Sequence, residues 1–205
     1  MQQSPNTVVF DVGNVLFRWK PEEFYLDILK DETRLRWYME HVHTPEWNRD
    51  LDLGVAWDKT FDARVAEFPE WEEPLRAYQT RWFDTMRDII EPNITLLKQL
   101  KSKDIPVYAI TNFHDWTFRT TQKQHYDFLN LFDGEIVSGE ENLVKPDPAI
   151  FELFFSRFSL KPEDCIFIDD NADNIATARN LGMHVVHFIE PMDVAAELGK
   201  LGLNI

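Results

Sequence analysis

The sequence predicts an α/β fold in which helices cover both faces of a parallel sheet, and three observations support this. Strand and helix patterns alternate from about Pro92 to the end of the chain. The run Thr7-Val8-Val9-Phe10 is short, β-branched and aromatic, as expected for a buried strand. Residues 21–87 show helical patterns and no comparable strand. Together these patterns predict a three-layer α/β/α core with a helical block inserted after its first strand.

The predicted elements divide the chain into two domains. The core is expected at residues 1–16 and 88–205, and a helical cap at residues 17–87. Cap helices are predicted at 21–29, 32–43, 56–67 and 71–87. In the core, strands are predicted at 7–10, 105–111, 134–138, 165–168 and 184–188. Core helices are predicted at 92–103, 116–124, 148–158, 172–181 and 194–201. Six of the 7 tryptophans fall between Trp19 and Trp82, which indicates a helical subdomain with its own aromatic core.

Composition excludes several classes of function. The 205 residues carry a formal charge of -15, which disfavours nucleic acid and anionic membranes as partners. We find no basic, apolar leader and no apolar run near the ~18 residues of a membrane helix, so we expect a cytoplasmic protein. Cys165 lies in an apolar run and is expected to be a buried core thiol. The sequence leaves the oligomeric state open.

Polar residues stand at the predicted ends of several strands. Asp11 ends the first strand, Thr111-Asn112 ends the second, and Asp169-Asp170 ends the fourth. Lys145 lies in the loop Val144-Lys145-Pro146-Asp147-Pro148 after the third strand. Because the carboxyl ends of parallel strands meet at one edge of the sheet, we expect these side chains to converge there.

These residue types suit phosphoryl chemistry. Acidic residues gathered at one strand edge repel one another unless a hard cation lies between them, and their oxygen ligands suit Mg²⁺. A carboxylate such as Asp11 can attack phosphorus and form an aspartyl-phosphate. Thr111 and Lys145 can bind the phosphoryl oxygens, and Lys145 can also pair with Asp11 and keep it ionised. Each residue alone has an ordinary explanation as a turn, cap or surface residue, so the conjunction carries the prediction.

At these residues the chain resembles the haloacid dehalogenase (HAD) superfamily, whose members have a Rossmann-like core and often a helical cap. The resemblance spans residues 8–187 and is most specific at 144–151 and at 167–175, which includes Asp-Asp-Asn-Ala-Asp-Asn. With the start Asp-Val-Gly-Asn-Val, these stretches resemble the bacterial α-glucose-1-phosphate phosphatase type.

The resemblance implies a role for each motif residue. Asp11 would be the nucleophile, while Thr111 and Lys145 would hold the phosphoryl group. The metal ligands would be Asp11, the backbone carbonyl of Gly13, Asp169 and Asp170. Asn14 and Asn112 would contact substrate. Asn174 stands where the family often has a carboxylate that positions the lysine, so Asp173 is a second candidate for that supporting role.

The sequence departs from the family at Gly13. Phosphatases of this superfamily usually carry a second aspartate there as general acid and base, a role typically worth ~10²–10⁴-fold in rate. Two hypotheses follow. The substrate has a leaving group that needs little protonation, such as an anomeric sugar, aryl or acyl phosphate, or another group substitutes: His114, Asp115 or a cap residue.

We therefore predict a Mg²⁺-dependent hydrolase of a small, sugar phosphate-like monoester. Phe17, Trp19 and Trp47 are candidates to stack on a sugar or aryl group. Two alternatives remain. A metal-independent 2-haloacid dehalogenase would attack carbon and use an arginine at the cap entrance, for which Arg18 is a poorly placed candidate. A catalytically weak HAD fold would act as a binding or regulatory protein.

Overall fold

The structure, a computed structural model that describes residues 4–203, contains one central parallel sheet. In chain order the strands are β1 (Thr7–Phe10), β2 (Phe17–Trp19), β3 (Met86–Ile89), β4 (Val107–Thr111), β5 (Gly134–Val137), β6 (Cys165–Asp169) and β7 (His184–His187). The central sheet has the order β5-β4-β1-β6-β7, and all of its pairs are parallel. The predicted α/β class is confirmed.

The sheet is buried on both faces because successive side chains of a strand point in opposite directions. Val8 and Phe10 of β1 pack into one hydrophobic cluster, and Val9 between them packs into a second. Cys165, at the start of β6, is fully buried in that second cluster, as predicted. β1 lies at the centre of the sheet, so the residue that follows it reaches the middle of the strand edge.

Five helices lie between β2 and β3 and form the helical insertion. They are α1 (Pro21–Leu29), α2 (Glu32–His41), α3 (Pro45–Asp52), α4 (Trp57–Glu67) and α5 (Glu72–Arg81). The remaining helices alternate with the strands of the core. They are α6 (Glu91–Ser102), α7 (Asp115–Gln124), α8 (Ser138–Glu141), α9 (Pro148–Phe158), α10 (Ala172–Asn180) and α11 (Val194–Lys200). Among the helices of residues 4–203, none combines the length and the apolar character needed to cross a bilayer.

The structure differs from the sequence prediction in two parts of the insertion. The helix predicted over residues 71–87 ends at Arg81 and is followed by a 3₁₀ turn and β3, which pairs antiparallel with β2. That pairing joins segments about seventy residues apart, so local periodicity could not indicate it. Helix α3 was not predicted, although Thr44 caps it through a 3.2 Å bond from the Trp47 N–H and Pro45 opens its first turn.

The aromatic residues of the insertion are continuous with the core. Tyr25, Tyr38 and Tyr78 are fully buried, and the Tyr25 hydroxyl lies 3.0 Å from Nδ1 of His43. These tyrosines share one hydrophobic cluster with Val8 and the rest of one face of the sheet. The insertion therefore does not have the separate core that the tryptophan distribution suggested.

The loop after α3 is held against the core by backbone contacts. The Ser138 hydroxyl donates to the Asp52 carbonyl at 2.6 Å, and the Asn142 amide donates to the Leu53 carbonyl at 2.7 Å. Gly54 has a φ of +77°, and a Cβ there would lie 2.9 Å from the carbonyl carbon of Gly139 and closer still to its oxygen. Glycine is required here for both its conformation and the close approach.

Gly54→Ala is expected to lower the free energy of unfolding by about 2–4 kcal/mol, because it adds both left-handed strain and a backbone clash. Gly199→Ala is the matched control: its Cβ would meet nothing within 4 Å, and glycine lacks helix propensity. We expect that control to be neutral or stabilising by up to about 1 kcal/mol. Urea denaturation measures both, and equal stability of the two variants would contradict the assigned contact.

Candidate active site

The polar residues predicted at the strand ends meet at one edge of the sheet. Asp11 follows β1, Thr111 ends β4 and Asp169 ends β6, and these three strands are direct neighbours. Lys145 reaches the same place from the loop between α8 and α9. Parallel strands bring their carboxyl ends to one edge, so residues far apart in sequence form one site.

Lys145 is the centre of this site. Its Nζ lies 2.9 Å from Oδ1 of Asp11 and 2.7 Å from Oδ2 of Asp169, and it donates to the Ile110 carbonyl at 2.8 Å. The lysine is only 3% exposed. Burial by itself would lower its pKa, but the attraction of Asp11 and Asp169 outweighs burial, and the pKa of Lys145 is raised. The ammonium is therefore charged throughout the physiological range.

Asp11 is a buried carboxyl under opposing influences. Its pKa is raised from 3.8 to about 7, because burial and the negative charges of Asp169 and Asp170, which raise the pKa, outweigh Lys145, which lowers it. Its Oδ1 also accepts the N–H of Val12 at 2.7 Å, which fixes the carboxyl plane. One lysine therefore does not fully offset the negative charge gathered at this edge.

The three acidic residues Asp11, Asp169 and Asp170 form a cluster that could hold a metal ion, with carboxylate oxygens within 4.8 Å of one another. The pKa of Asp170 is raised, first by burial and then by the charge of Asp169. Asp169 is more fully occupied by protein donors: it accepts from Lys145 and from the Asn171 N–H at 2.7 Å each. Asp11 and Asp170 therefore have more free coordination capacity than Asp169.

Gly13 lies beside this cluster, and a Cβ at this position would meet nothing within 4 Å. Its φ is not left-handed, so neither space nor backbone conformation demands glycine there. Asn14 does adopt a left-handed φ of 55°, and its Oδ1 accepts the Trp19 N–H at 3.0 Å. The absent side chain at position 13 leaves open space next to Asp11.

The two residues at the end of β4 differ in their environment. Asn112 makes a two-way contact with Lys145, accepting from its N–H at 2.8 Å and donating to its carbonyl at 3.0 Å. Asn112 therefore positions the lysine loop in addition to lining the cavity. The Thr111 hydroxyl is buried, is not among the residues that line the cavity, and has no hydrogen-bond partner within residues 4–203, so its donor is unused.

Of the two candidates to position Lys145, Asn174 and Asp173, only Asn174 reaches the site, and it does so through Asp169. The Asn174 amide donates to both carboxylate oxygens of Asp169 at 3.0 Å, and Asp169 in turn holds Lys145. Asp173 is exposed, since adjacent residues of a helix point about 100° apart. The structure brings Asn174 into the site and leaves Asp173 outside it.

A cavity of about 230 Å³ opens above the acidic cluster, between the core and the helical insertion. Its apolar wall is mostly aromatic and consists of Phe17, Trp19, Leu51, Trp57, Trp82 and Phe113. Phe17 and Trp19 were candidates from the sequence. Trp47 lies instead in the buried aromatic cluster, with its ring centroid 5.1 Å from those of His43 and Phe61.

Two polar cavity residues on α3, Asn48 and Asp52, were missed by the sequence reasoning. Asp52 is half-buried, and burial raises its pKa from 3.8 to about 7. They were missed because α3 was not predicted, although the run Thr44-Pro45-Glu46 is a recognisable helix start. His114, which was a candidate, does line the cavity.

Comparison with known proteins places the chain in a family. The model of the haloacid dehalogenase-like hydrolases matches residues 5–182. The chain belongs to this family. It is a hydrolase of the HAD superfamily, and its relatives include proteins named as phosphatases. The narrower resemblance to α-glucose-1-phosphate phosphatases stays a prediction.

Two curated relatives come from Aspergillus. The chain is 24% identical over 193 residues to the sesquiterpene phosphatase astK of Aspergillus oryzae, covering 94% of both proteins. It is 35% identical over 199 residues to the drimenol cyclase drtB of Aspergillus calidoustus. That match covers 95% of this chain but only 36% of the cyclase. The chain thus spans about a third of that second relative.

The solved structures that resemble this chain share its fold. An HAD family enzyme of Bacteroides thetaiotaomicron, determined with magnesium and inorganic phosphate, aligns with a TM-score of 0.75 at 20% identity and covers 94% of this chain and 98% of that one. The L-2-haloacid dehalogenase of Xanthobacter autotrophicus aligns with a TM-score of 0.63 at 17% identity, covering 96% and 83%.

Asp11→Asn is expected to stabilise the protein at alkaline pH in buffer without divalent cations. Because the folded pKa of Asp11 is raised from 3.8 to about 7, the wild type loses stability through this carboxyl as the pH rises across that interval. The gain in free energy of unfolding should be roughly 1–3 kcal/mol near pH 8 and smaller near pH 5. Urea denaturation at the two pH values measures it.

The control for this prediction is Asp104→Asn, at an exposed position whose left-handed φ of 54° asparagine adopts readily. It should leave the pH dependence unchanged. Loss of stability in Asp11→Asn at alkaline pH would mean that the pairing with Lys145 outweighs burial and charge repulsion.

Proposed function

We propose that this protein is a Mg²⁺-dependent phosphatase that hydrolyses a small phosphate monoester through an aspartyl-phosphate on Asp11. The observation that carries the proposal is the buried arrangement of Asp11, Lys145 and Asp170 at the strand edge, with Lys145 Nζ 2.9 Å from Asp11 Oδ1. A nucleophilic carboxylate, a fixed cation and a second acidic residue are what attack on an anionic phosphoryl group requires.

The acidic cluster fits a divalent cation because its negative charge exceeds the compensation available from Lys145. Asp11, Asp170 and the Gly13 carbonyl would hold Mg²⁺, with Asp169 as a further ligand or as the support of Lys145. When bound, the ion would offset the charge of the phosphoryl oxygens as the carboxylate approaches them.

The chain's own residues account for the rest of the binding and attack. Asp11 offers Oδ2 to phosphorus, since its Oδ1 is engaged by Lys145 and the Val12 N–H. The Lys145 ammonium and the unpartnered Thr111 hydroxyl would bind the phosphoryl oxygens, on which negative charge accumulates during transfer. Water then hydrolyses the aspartyl-phosphate and releases inorganic phosphate.

The substrate class is proposed from the cavity. A volume of about 230 Å³ suits a small ester, and the aromatic wall offers faces on which a sugar ring or an aryl or other apolar group can pack. A sugar phosphate-like monoester remains the first candidate. The phosphatase relatives support the reaction type, while the substrates for which they are named differ widely. Nucleic acid and membrane partners stay disfavoured by the charge of -15, and a cytoplasmic location stays a prediction.

A 2-haloacid dehalogenase is the alternative enzyme. Arg18, its candidate for the cap arginine, forms an ion pair with Glu190 and does not line the cavity wall described above. The carboxylates of Asp169 and Asp170 would have no metal to bind in such an enzyme. The second alternative, a catalytically weak binding protein, would leave the phosphatase screen below without any turnover.

Asp11→Asn is expected to reduce phosphatase turnover by at least ~10³-fold, since it removes the nucleophile that forms the covalent intermediate. A panel of sugar, aryl, acyl and nucleotide phosphates, assayed with Mg²⁺ and with EDTA, measures this. Asp104→Asn should match the wild type. Near-normal turnover by Asp11→Asn would refute the nucleophile, and chloride release from 2-chloropropionate in EDTA would favour the dehalogenase.

Magnesium is expected to raise the melting temperature of the wild-type protein, because a ligand that binds the folded state alone stabilises it by about 2.7 kcal/mol at 100 times its Kd. Asp170→Ala should lose most of that shift, while Asp104→Asn should keep it. Differential scanning fluorimetry over a magnesium titration measures the effect without a substrate. Equal shifts in the wild type and Asp170→Ala would place the cation elsewhere.

A further inference from the structure

A basic leaving oxygen, such as that of an alkyl ester, needs a proton when its bond to phosphorus breaks, and the nucleophile cannot supply it. Five titratable residues line the cavity: Asp11, Asp52, His114, Lys145 and Asp170. In the proposed function Asp11 attacks phosphorus. Lys145 carries a positive charge, because its pKa is raised, and Asp170 belongs to the acidic cluster that could hold a metal ion. Position 13 carries no side chain. Asp52 and His114 therefore remain as possible proton donors.

We propose that Asp52, contributed by helix α3 of the insertion, is the general acid and base of this site. The inference rests on the proposed phosphatase function and identifies a group that core motifs alone do not contain. Asp52 would act from the opposite wall of the cavity, across the open space that Gly13 leaves beside Asp11.

The placement of α3 supports this role. Asn48, Leu51 and Asp52 all line the cavity, and their spacing of three and four residues puts them on one face of the helix. The backbone at this helix end is fixed to the core, because the Asp52 carbonyl accepts from the Ser138 hydroxyl at 2.6 Å. The backbone of Asp52 is thus held by the core as well as by the insertion.

The carboxyl of Asp52 has one occupied and one free oxygen. Oδ2 accepts from the Asn48 amide at 3.2 Å, whereas Oδ1 has no hydrogen-bond partner within residues 4–203. Asp52 lines the cavity, and a carboxyl oxygen without a protein partner is available to exchange a proton with a bound ester or water. Asn48 would be a positioning residue, since its amide holds Oδ2 of the Asp52 carboxyl.

The surroundings give Asp52 an acidity suited to proton transfer. Burial raises its pKa to about 7, against opposing effects of Lys145 and the Asn48 amide. Both protonation states are then populated near neutral pH, which an acid and base used in turn requires. Tyr78 of α5 is neutral, because burial raises its pKa well above 10.

Charged groups on the other neighbouring elements are engaged elsewhere. On α8, Glu140 pairs with Arg119 and Glu141 pairs with Arg157. On α4, Trp57 lines the cavity, and Asp58 accepts from the Gln79 amide at 2.9 Å. Within residues 4–203, Lys145 is the cation that lowers the pKa of Asp52, and both residues line the cavity.

His114 is a weaker candidate for the acid. Burial lowers its pKa, so the ring is neutral at physiological pH, and a neutral imidazole is a poor proton donor. Its Nδ1 lies 2.9 Å from the Asp115 carboxylate, and its buried Nε2 has no partner within residues 4–203. The ring can orient a bound group by a hydrogen bond, but an uncharged imidazole does not provide the acid.

The proposed proton transfers balance over the two steps. In the first, Asp11 Oδ2 forms a bond to phosphorus, the bond from phosphorus to the leaving oxygen breaks, and protonated Asp52 gives its proton to that oxygen. In the second, the Asp52 carboxylate takes a proton from water as the water oxygen bonds to phosphorus. The bond from phosphorus to Asp11 breaks, inorganic phosphate leaves, and Asp52 is again protonated.

The test compares esters that differ in their need for protonation. For the wild type, we expect kcat with Mg²⁺ to depend only weakly on leaving-group basicity, from p-nitrophenyl phosphate to phenyl and alkyl phosphates. Asp52→Asn, which keeps the size of the side chain, should lower kcat by ~10²–10⁴-fold for alkyl phosphates and by less than about 10-fold for p-nitrophenyl phosphate. In the wild type, kcat for alkyl esters should fall at alkaline pH, because Asp52 loses the proton that it donates. In Asp52→Asn this fall should be absent.

Asp50→Asn is the matched control, because it removes an exposed carboxyl from the same helix. It should keep the wild-type dependence on the leaving group. For each variant, the ratio of kcat for alkyl phosphates to kcat for p-nitrophenyl phosphate does not depend on how much of the preparation is folded. Urea denaturation of both variants measures their stability separately.

Three outcomes would overturn the proposal while leaving the proposed function intact. If kcat of the wild type fell steeply with leaving-group basicity, no competent acid would exist, and this result would not depend on any variant. An equal loss on alkyl and nitrophenyl esters in Asp52→Asn would assign the residue a structural role. If kcat depended steeply on leaving-group basicity in His114→Gln but only weakly in Asp52→Asn, His114 would be the acid. Absence of turnover in the wild type on every ester would instead overturn the proposed function itself.

Discussion

The site is organised around a buried ammonium group that joins two carboxylates. Lys145 holds Asp11 and Asp169 together at the buried edge of the sheet, with its ammonium between the two carboxylates. The Asn112 side chain bonds to both the backbone N–H and the backbone carbonyl of Lys145. The Asn174 amide holds the carboxylate of Asp169. This network needs three adjacent strand ends at one level, so the parallel order of the sheet is a precondition of the chemistry.

The same network explains why the site favours a cation and an anion together. With three carboxylates and one lysine, the cluster is electrically unbalanced in the absence of a further positive charge. The pKa of Asp11 is raised first by burial and also by the charges of Asp169 and Asp170, and protonation is one way to relieve their repulsion. A divalent ion would relieve it without blocking the carboxylate, and would also prepare the cavity for an anionic substrate. The unpartnered Thr111 hydroxyl is consistent with the same purpose.

The helical insertion contributes to the site as much as the sheet does. Most of the aromatic wall comes from residues in or near it, and the close packing of Gly54 on Gly139 keeps the end of α3 over the strand edge. Relatives with the same core are named for different substrates, and the fold is shared with a dehalogenase. In the proposed function the core residues bind the phosphoryl group, so the insertion would contact the leaving group.

The sequence by itself determined the elements with strong local signals. Helices α1 and α9 begin and end where periodicity, Pro21 and Pro148 predicted, and the first strand was predicted to the residue. It also determined which residues would meet at the strand edge, since parallel topology converts strand ends into neighbours.

Only the tertiary structure decided what depends on contacts between distant segments. The pairing of β2 with β3 ended a predicted helix early, because backbone hydrogen bonds to a strand about seventy residues away outweighed local helix preference. It turned Asn174 rather than Asp173 toward the acidic cluster, buried Trp47 away from the cavity, and brought Asp52 into the lining of the cavity that also contains Lys145. None of these follows from local pattern, because the orientation of a helix is set by the surface against which it packs.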